Sequence, residues 1–134
     1  MNLSIPLAIG IGGFCGALAR AAVSSSMTRW LGESESHYGT LVVNILGCFA
    51  IGMLAAMAVR SPGFSPGLQK FLITGLLGSL TTFSTFALDS LKLAQTGRPG
   101  AAIMNVLLNL TVGLVVVWLG TLAAGGLNPA EPAS

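Results

Sequence analysis

Apolar residues fill four long stretches of this chain, about residues 3–23, 41–59, 71–91 and 101–122, and short polar punctuation separates them. Each stretch approaches the roughly 20 residues that an α-helix needs to cross a bilayer. Ser24-Ser25-Ser26 through His37, with Arg29, Glu33 and Glu35, divides the first two. Ser61-Pro62-Gly63 and Ser65-Pro66-Gly67 are successive turn signals before the third, and Gly97-Arg98-Pro99-Gly100 is another before the fourth. Residues 128–134 carry two prolines and no periodicity, which reads as a disordered tail. The pattern predicts an all-α membrane protein of four transmembrane helices in a single domain, residues 1–127.

Composition sets the solvent. Of the 134 residues, 53% are hydrophobic and 7% charged, and the mean hydropathy is +0.83. Soluble domains carry about 25% charged residues, so a water-facing shell is excluded here. The 18 glycines suit membrane helices that approach closely. Ala19-Arg20-Ala21 faintly resembles a signal-peptide cleavage site, but no Lys or Arg precedes the first stretch, so it is expected to stay as a helix.

Charge leaves the orientation open. Arg60 and Lys70 fall on one face of the membrane, and Arg29, Lys92 and Arg98 on the other, with Arg20 near it. Basic loops face the cytoplasm, and so small a bias fits either one orientation with the N-terminus outside or insertion both ways.

Cys15 and Cys48 lie within apolar stretches, where a thiol behaves as a small hydrophobe. Two Cys and one scattered His make no metal site, and there is no phosphate loop or basic nucleic-acid patch. Asn109-Leu110-Thr111 matches a glycosylation sequon but sits inside the fourth stretch, out of reach. Nothing in the chain points to an enzyme.

The third stretch carries the chemistry. In Gly78-Ser79-Leu80-Thr81-Thr82-Phe83-Ser84-Thr85-Phe86, five of nine side chains bear hydroxyls and two are phenyl rings. Hydroxyls that bond back to carbonyls loosen a helix, and with Gly75 and Gly78 alongside they predict a local break. A break exposes carbonyl oxygens that can replace water around a small cation such as Na⁺. Phe83 and Phe86 share a face, and the electropositive ring edge can meet an anion without trapping it. Thr40 with Asn44, and Asn105 with Asn109, are four apart, so each pair shares a helix face. Either interhelical hydrogen bonds or a polar lining would use them. Arg20 follows the Gly12/Gly16 pair, placed either to reach the headgroups or to lend positive charge to a vestibule.

These residues resemble the CrcB/Fluc family of fluoride channels. The likeness spans nearly the whole chain, through Gly12–Arg20, Gly39–Gly52 and Gly78–Phe86, with a weaker match at Asn105–Gly113. It implies a passive, fluoride-selective channel of the cytoplasmic membrane, built as an antiparallel, dual-topology homodimer with a broken third helix and two pores. By the same resemblance, Phe83 and Phe86 line the fluoride path, Asn44 donates to the ion, and Thr40, Ser84 and Asn109 belong to the pathway. Arg20 stands in the vestibule, and the backbone carbonyls of Gly78 and Thr81 from two subunits hold a structural Na⁺. The chain departs from the family pattern at Ser79, where a second glycine is frequent, at Asn105, an aromatic position, and at Gly113, a hydroxyl position. The competing reading is a proton-coupled carrier of the small multidrug type, which needs a membrane-embedded carboxylate; Asp89 is the one acid within a stretch.

Overall fold

In the computed structural model, which describes residues 4–61, 63–126 and 128, all four apolar stretches are helices that outrun their greasy parts. Helix α1 is Ser4–Leu31, α2 is His37–Arg60, and the fourth span is α5, Pro99–Ala123. The third span is built in pieces: α3, 66–80, and α4, Phe83–Gln95, with Thr81 and Thr82 extended between them. All four are long and apolar enough to cross a membrane. This is the architecture of a multi-pass inner-membrane protein. The tail beyond Asn128 lies outside the described residues.

The serine-rich segment expected between the first two spans is largely helical. Thr28 Oγ1 bonds back to the Ser24 carbonyl (3.0 Å) and Arg29 Nε to that of Ser25 (3.2 Å), so the polar side chains occupy main-chain acceptors of the helix they extend. Gly32 stops α1 with φ 95°, a conformation natural to glycine. At the start of α3, Ser65 Oγ accepts from Leu68 N (3.2 Å) with Pro66 in the first helical position, an N-terminus written in sequence.

Glycine governs the packing, which pairs α1 with α3 and α2 with α5. A Cβ on Gly12 would meet the Phe71 carbonyl, and one on Gly16 the Leu76 carbonyl. A Cβ on Gly52 would meet Val117 O, and one on Gly120 would meet Phe49 O. The spans thus touch backbone to backbone, as small residues permit where lipid offers no hydrophobic drive to associate. Residues 70–77 of α3 wind in wider, π-helical turns, and their Gly75 lies against Gly12. Leu, Ile, Phe and Trp side chains meanwhile crowd the outside, as a lipid solvent requires. Gly16→Leu is expected to unseat α1 from α3, an overpacking cost of about 1–3 kcal/mol or more. Size-exclusion chromatography in detergent would show it as loss of the monodisperse peak.

Candidate functional site

At the break, the helix gives up hydrogen bonds that lipid cannot replace. Thr81 (ψ 153°) and Thr82 (φ −152°, ψ 115°) are extended, so the regular i to i−4 ladder is interrupted. Asn44 on α2 repairs the damage: its Oδ1 accepts from Thr82 N (2.9 Å) and its Nδ2 donates to Thr82 O (3.3 Å). One side-chain amide therefore stands in for a neighbouring peptide group, sparing buried polar groups that cost several kcal/mol when orphaned in hydrocarbon. Thr82 in turn caps α4, its Oγ1 accepting from Thr85 N (3.2 Å).

The break leaves several carbonyls without their helical donors, those of Gly78 and Thr81 among them. The N–H that would bond Gly78 O belongs to Thr82 and goes to Asn44; the N–H that would bond Thr81 O belongs to Thr85 and goes to the Thr82 hydroxyl. Gly78, exposed on this chain, presents its oxygen with no Cβ beside it. Hard oxygen donors diverted from the helix fit a small hard cation. The described residues contain no cluster of three His, Cys, Asp or Glu, so any cation here would be held by such oxygens.

Beside the break lies a cavity of about 270 Å³ lined by Asn44, Thr82, Phe83, Phe86, Asn109 and Thr81, among others. Phe83 and Phe86 meet edge to face, with ring centroids 5.2 Å apart and planes at 71°. Phe86 is 5% exposed and Phe83 73% exposed, so the cavity has one ring in its wall and one at its open rim. The structure brings Asn44, Asn109, Phe83 and Phe86 together around this one cavity. Asn44 Nδ2 donates to Asn109 Oδ1 (2.9 Å), joining the stripes of α2 and α5.

Other anticipated residues stand apart from this cavity. Thr40 is buried one turn along α2, and its hydroxyl donates to Asp89 Oδ2 (2.8 Å). Ser84 is exposed, its Oγ 3.3 Å from Thr82 Oγ1. Arg20 is half-buried on α1 and lines neither this cavity nor a second one of about 280 Å³ around His37, Asp89, Lys92 and Arg98. There Arg98 bridges Glu35 (2.8 Å) and donates to Ser34 O (3.0 Å), clasping the α1–α2 and α4–α5 turns together. Both cysteines are free.

Ser90 was missed, and Asn105 was read as part of a polar face without a role. Asn105, 3% exposed, accepts from Asn109 Nδ2 through Oδ1 (3.1 Å) and donates to Ser90 Oγ (2.9 Å). The i,i+4 stripe pointed to Asn105, whereas the interval from Phe86 to Ser90 was the available signal for the serine.

The model of the CrcB-like protein family, Camphor Resistance (CrcB), matches residues 7–121, which include every element of this site. The chain belongs to the CrcB family. Among its curated relatives are proteins named fluoride-specific ion channel FluC. The one from Hydrogenovibrio crunogenus is 42% identical over 114 residues, 85% of this chain and 86% of the relative. The one from Opitutus terrae is 41% identical over 128 residues, covering 94% and 96%. The longer one from Methylococcus capsulatus is 40% identical over 134 residues, all of this chain and 58% of the relative.

Proposed function

We propose that this CrcB-family chain forms a passive, fluoride-selective channel of the cytoplasmic membrane, working as an antiparallel, dual-topology homodimer that releases fluoride from the cell. One observation carries the reading: an edge-to-face phenyl pair and two bonded asparagines share a cavity beside a broken membrane helix. The names of the relatives supply the ion.

Fluoride is small and strongly hydrated, and a pore must replace its water without holding it too firmly. Uncharged partners meet that demand. The rims of Phe83 and Phe86 offer weakly positive C–H edges, and Asn44 offers an amide whose 3.3 Å bond to Thr82 O is its longest and the readiest to exchange for an ion. Asn109 continues the track along α5, while Ser84 and Thr40, which stand apart from the cavity, would add hydroxyls to the path on either side of it. A guanidinium in the narrow part would trap the anion; Arg20 instead raises its concentration from the vestibule. Fluoride enters an acid-exposed cell as its neutral acid and ionises inside, so a passive exit suffices.

The exposed Phe83 at the cavity's open rim, and the near-balance of basic residues on the two membrane faces, support a second, inverted copy that closes the cavity. The diverted carbonyls of Gly78 and Thr81 would hold Na⁺ with their symmetry mates at that interface. Bound there, the ion would neutralise carbonyl dipoles that the break leaves unpaired.

Coupling tests the reading. Fluoride efflux from proteoliposomes is expected to proceed at the same rate with and without a proton gradient. Obligatory exchange of fluoride for protons would instead assign the chain to the carriers, with Asp89 as the carboxylate.

A further inference from the structure

The hydrogen-bond line that enters the cavity wall at Thr82 does not stop at the asparagines. It runs from Thr82 N to Asn44 Oδ1, from Asn44 Nδ2 to Asn109 Oδ1, and from Asn109 Nδ2 to Asn105 Oδ1. Asn105 Nδ2 then donates to Ser90 Oγ (2.9 Å), and the Ser90 hydroxyl donates to the Phe86 carbonyl (2.9 Å). Serine has one hydroxyl proton, and it goes to Phe86, so the Asn105 amide enters on an oxygen lone pair. The direction of the whole line is thereby fixed. It begins and ends on main-chain groups of one segment, residues 82–90, which carries both phenyl rings, and it travels between them through α2 and α5.

A serine that bonds back one turn is common in membrane helices and by itself only loosens them. Here the same oxygen is also gripped by a buried amide from another helix, which ties the first turns of α4 to α5 at the level of Phe86. The tie matters because α4 hangs from α3 by two extended residues, Thr81 and Thr82, and is free of the α3 helical ladder. A rotation of α4 by about 20° would carry a ring some 6 Å from the helix axis through about 2 Å. That displacement would carry the ring edge out of contact with an ion held against it.

We propose that Ser90 and Asn105 are positioning residues for the phenyl pair: their relay fixes the rotation of α4 and so the edge-on pose of Phe86. The proposal rests on the channel reading above. Neither residue lines the 270 Å³ cavity: Ser90 reaches it through the Phe86 carbonyl, and Asn105 through Ser90 on one side and Asn109 on the other.

The test compares fluoride efflux from proteoliposomes of the native chain, Ser90→Ala, Asn105→Leu, both together, and Ser90→Thr, which keeps the hydroxyl. Each of the first two is expected to slow efflux about tenfold, since each breaks the Asn105–Ser90 link that holds the relay together. The double variant is expected to be about tenfold slow as well, since one relay is broken only once. Ser90→Thr is expected within about twofold of native. Native-like efflux in Ser90→Ala, a Ser90→Thr as slow as Ser90→Ala, or losses that multiply in the double variant would each overturn the relay. If Asn105→Leu does not fold, the Ser90 pair decides alone. Infrared difference spectra of protein carrying carbon-13 at its phenylalanine carbonyls separate this idea from the channel reading. The Phe86 band should rise in frequency in Ser90→Ala and return in Ser90→Thr, whether or not the native chain conducts. A band that stays put defeats the relay; a native chain that passes no fluoride, with the band shifting as described, defeats the channel reading.

Discussion

Phe86→Ile is expected to slow fluoride efflux by at least about a hundredfold, equivalent to about 2.7 kcal/mol at the barrier, while the assembled protein survives purification. Isoleucine keeps the site apolar and fills much of the volume, so the packing cost stays within about 1–3 kcal/mol. What it removes is the aromatic quadrupole: an aliphatic side chain has no electropositive rim to offer a dehydrated anion. Phe86 is the decisive ring because it is built into the wall, 5% exposed and tied through its carbonyl to Ser90. Phe83→Ile should follow the same course, since the two rings hold each other edge to face at 5.2 Å. Normal throughput in both variants, measured with a fluoride electrode on proteoliposomes, would remove the rings from the pathway.

The second large effect is expected at Asn44. Asn44→Asp is nearly isosteric, yet it exchanges two donated hydrogen bonds for repulsion. A carboxylate can still accept from Thr82 N, but its other oxygen then faces the Thr82 carbonyl and Asn109 Oδ1, both acceptors that Asn44 Nδ2 now satisfies. Breaking buried polar pairs in this way costs about 1–3 kcal/mol, more where a charge is involved. The same carboxylate would repel fluoride from the track. Efflux is expected to fall by at least about a hundredfold and the melting temperature in detergent to drop by several degrees. A variant that melts and conducts like the native chain would show that Asn44 neither clips the break nor meets the ion.

Much of this was legible in the letters. Four runs of about the right length dictated four spans, because a bilayer of fixed thickness leaves few other solutions. The hydroxyl-rich run Gly78–Phe86 announced a break, and the break falls at Thr81 and Thr82 inside it. The shared spacing of Asn44 with Thr40 and of Asn109 with Asn105 announced polar faces, and three of the four meet in one hydrogen-bonded line. Thr40 turned away to Asp89, because which neighbour a hydroxyl finds depends on the placement of another helix, which periodicity does not encode. Asn44 was read either as bonding between helices or as lining a pore, with the family resemblance adding a donor role toward the ion; that its partner is the Thr82 backbone could be seen only once the extended break lay against α2. The helical extension through Ser24–Ser26 was missed for a related reason: hydroxyls that look like loop chemistry in sequence can bond into the helix itself. The Gly12 and Gly16 pair marked a face of α1 suited to close packing, since only glycine leaves room for a neighbouring carbonyl, but that α3 fills it is seen only in the structure.

Fluoride and chloride efflux from liposomes containing the purified native chain, with potassium released through an ionophore to balance charge, tests the central claim most directly. The account predicts rapid loss of entrapped fluoride and retention of chloride. Vesicles that hold their fluoride, or release both halides alike, would contradict it.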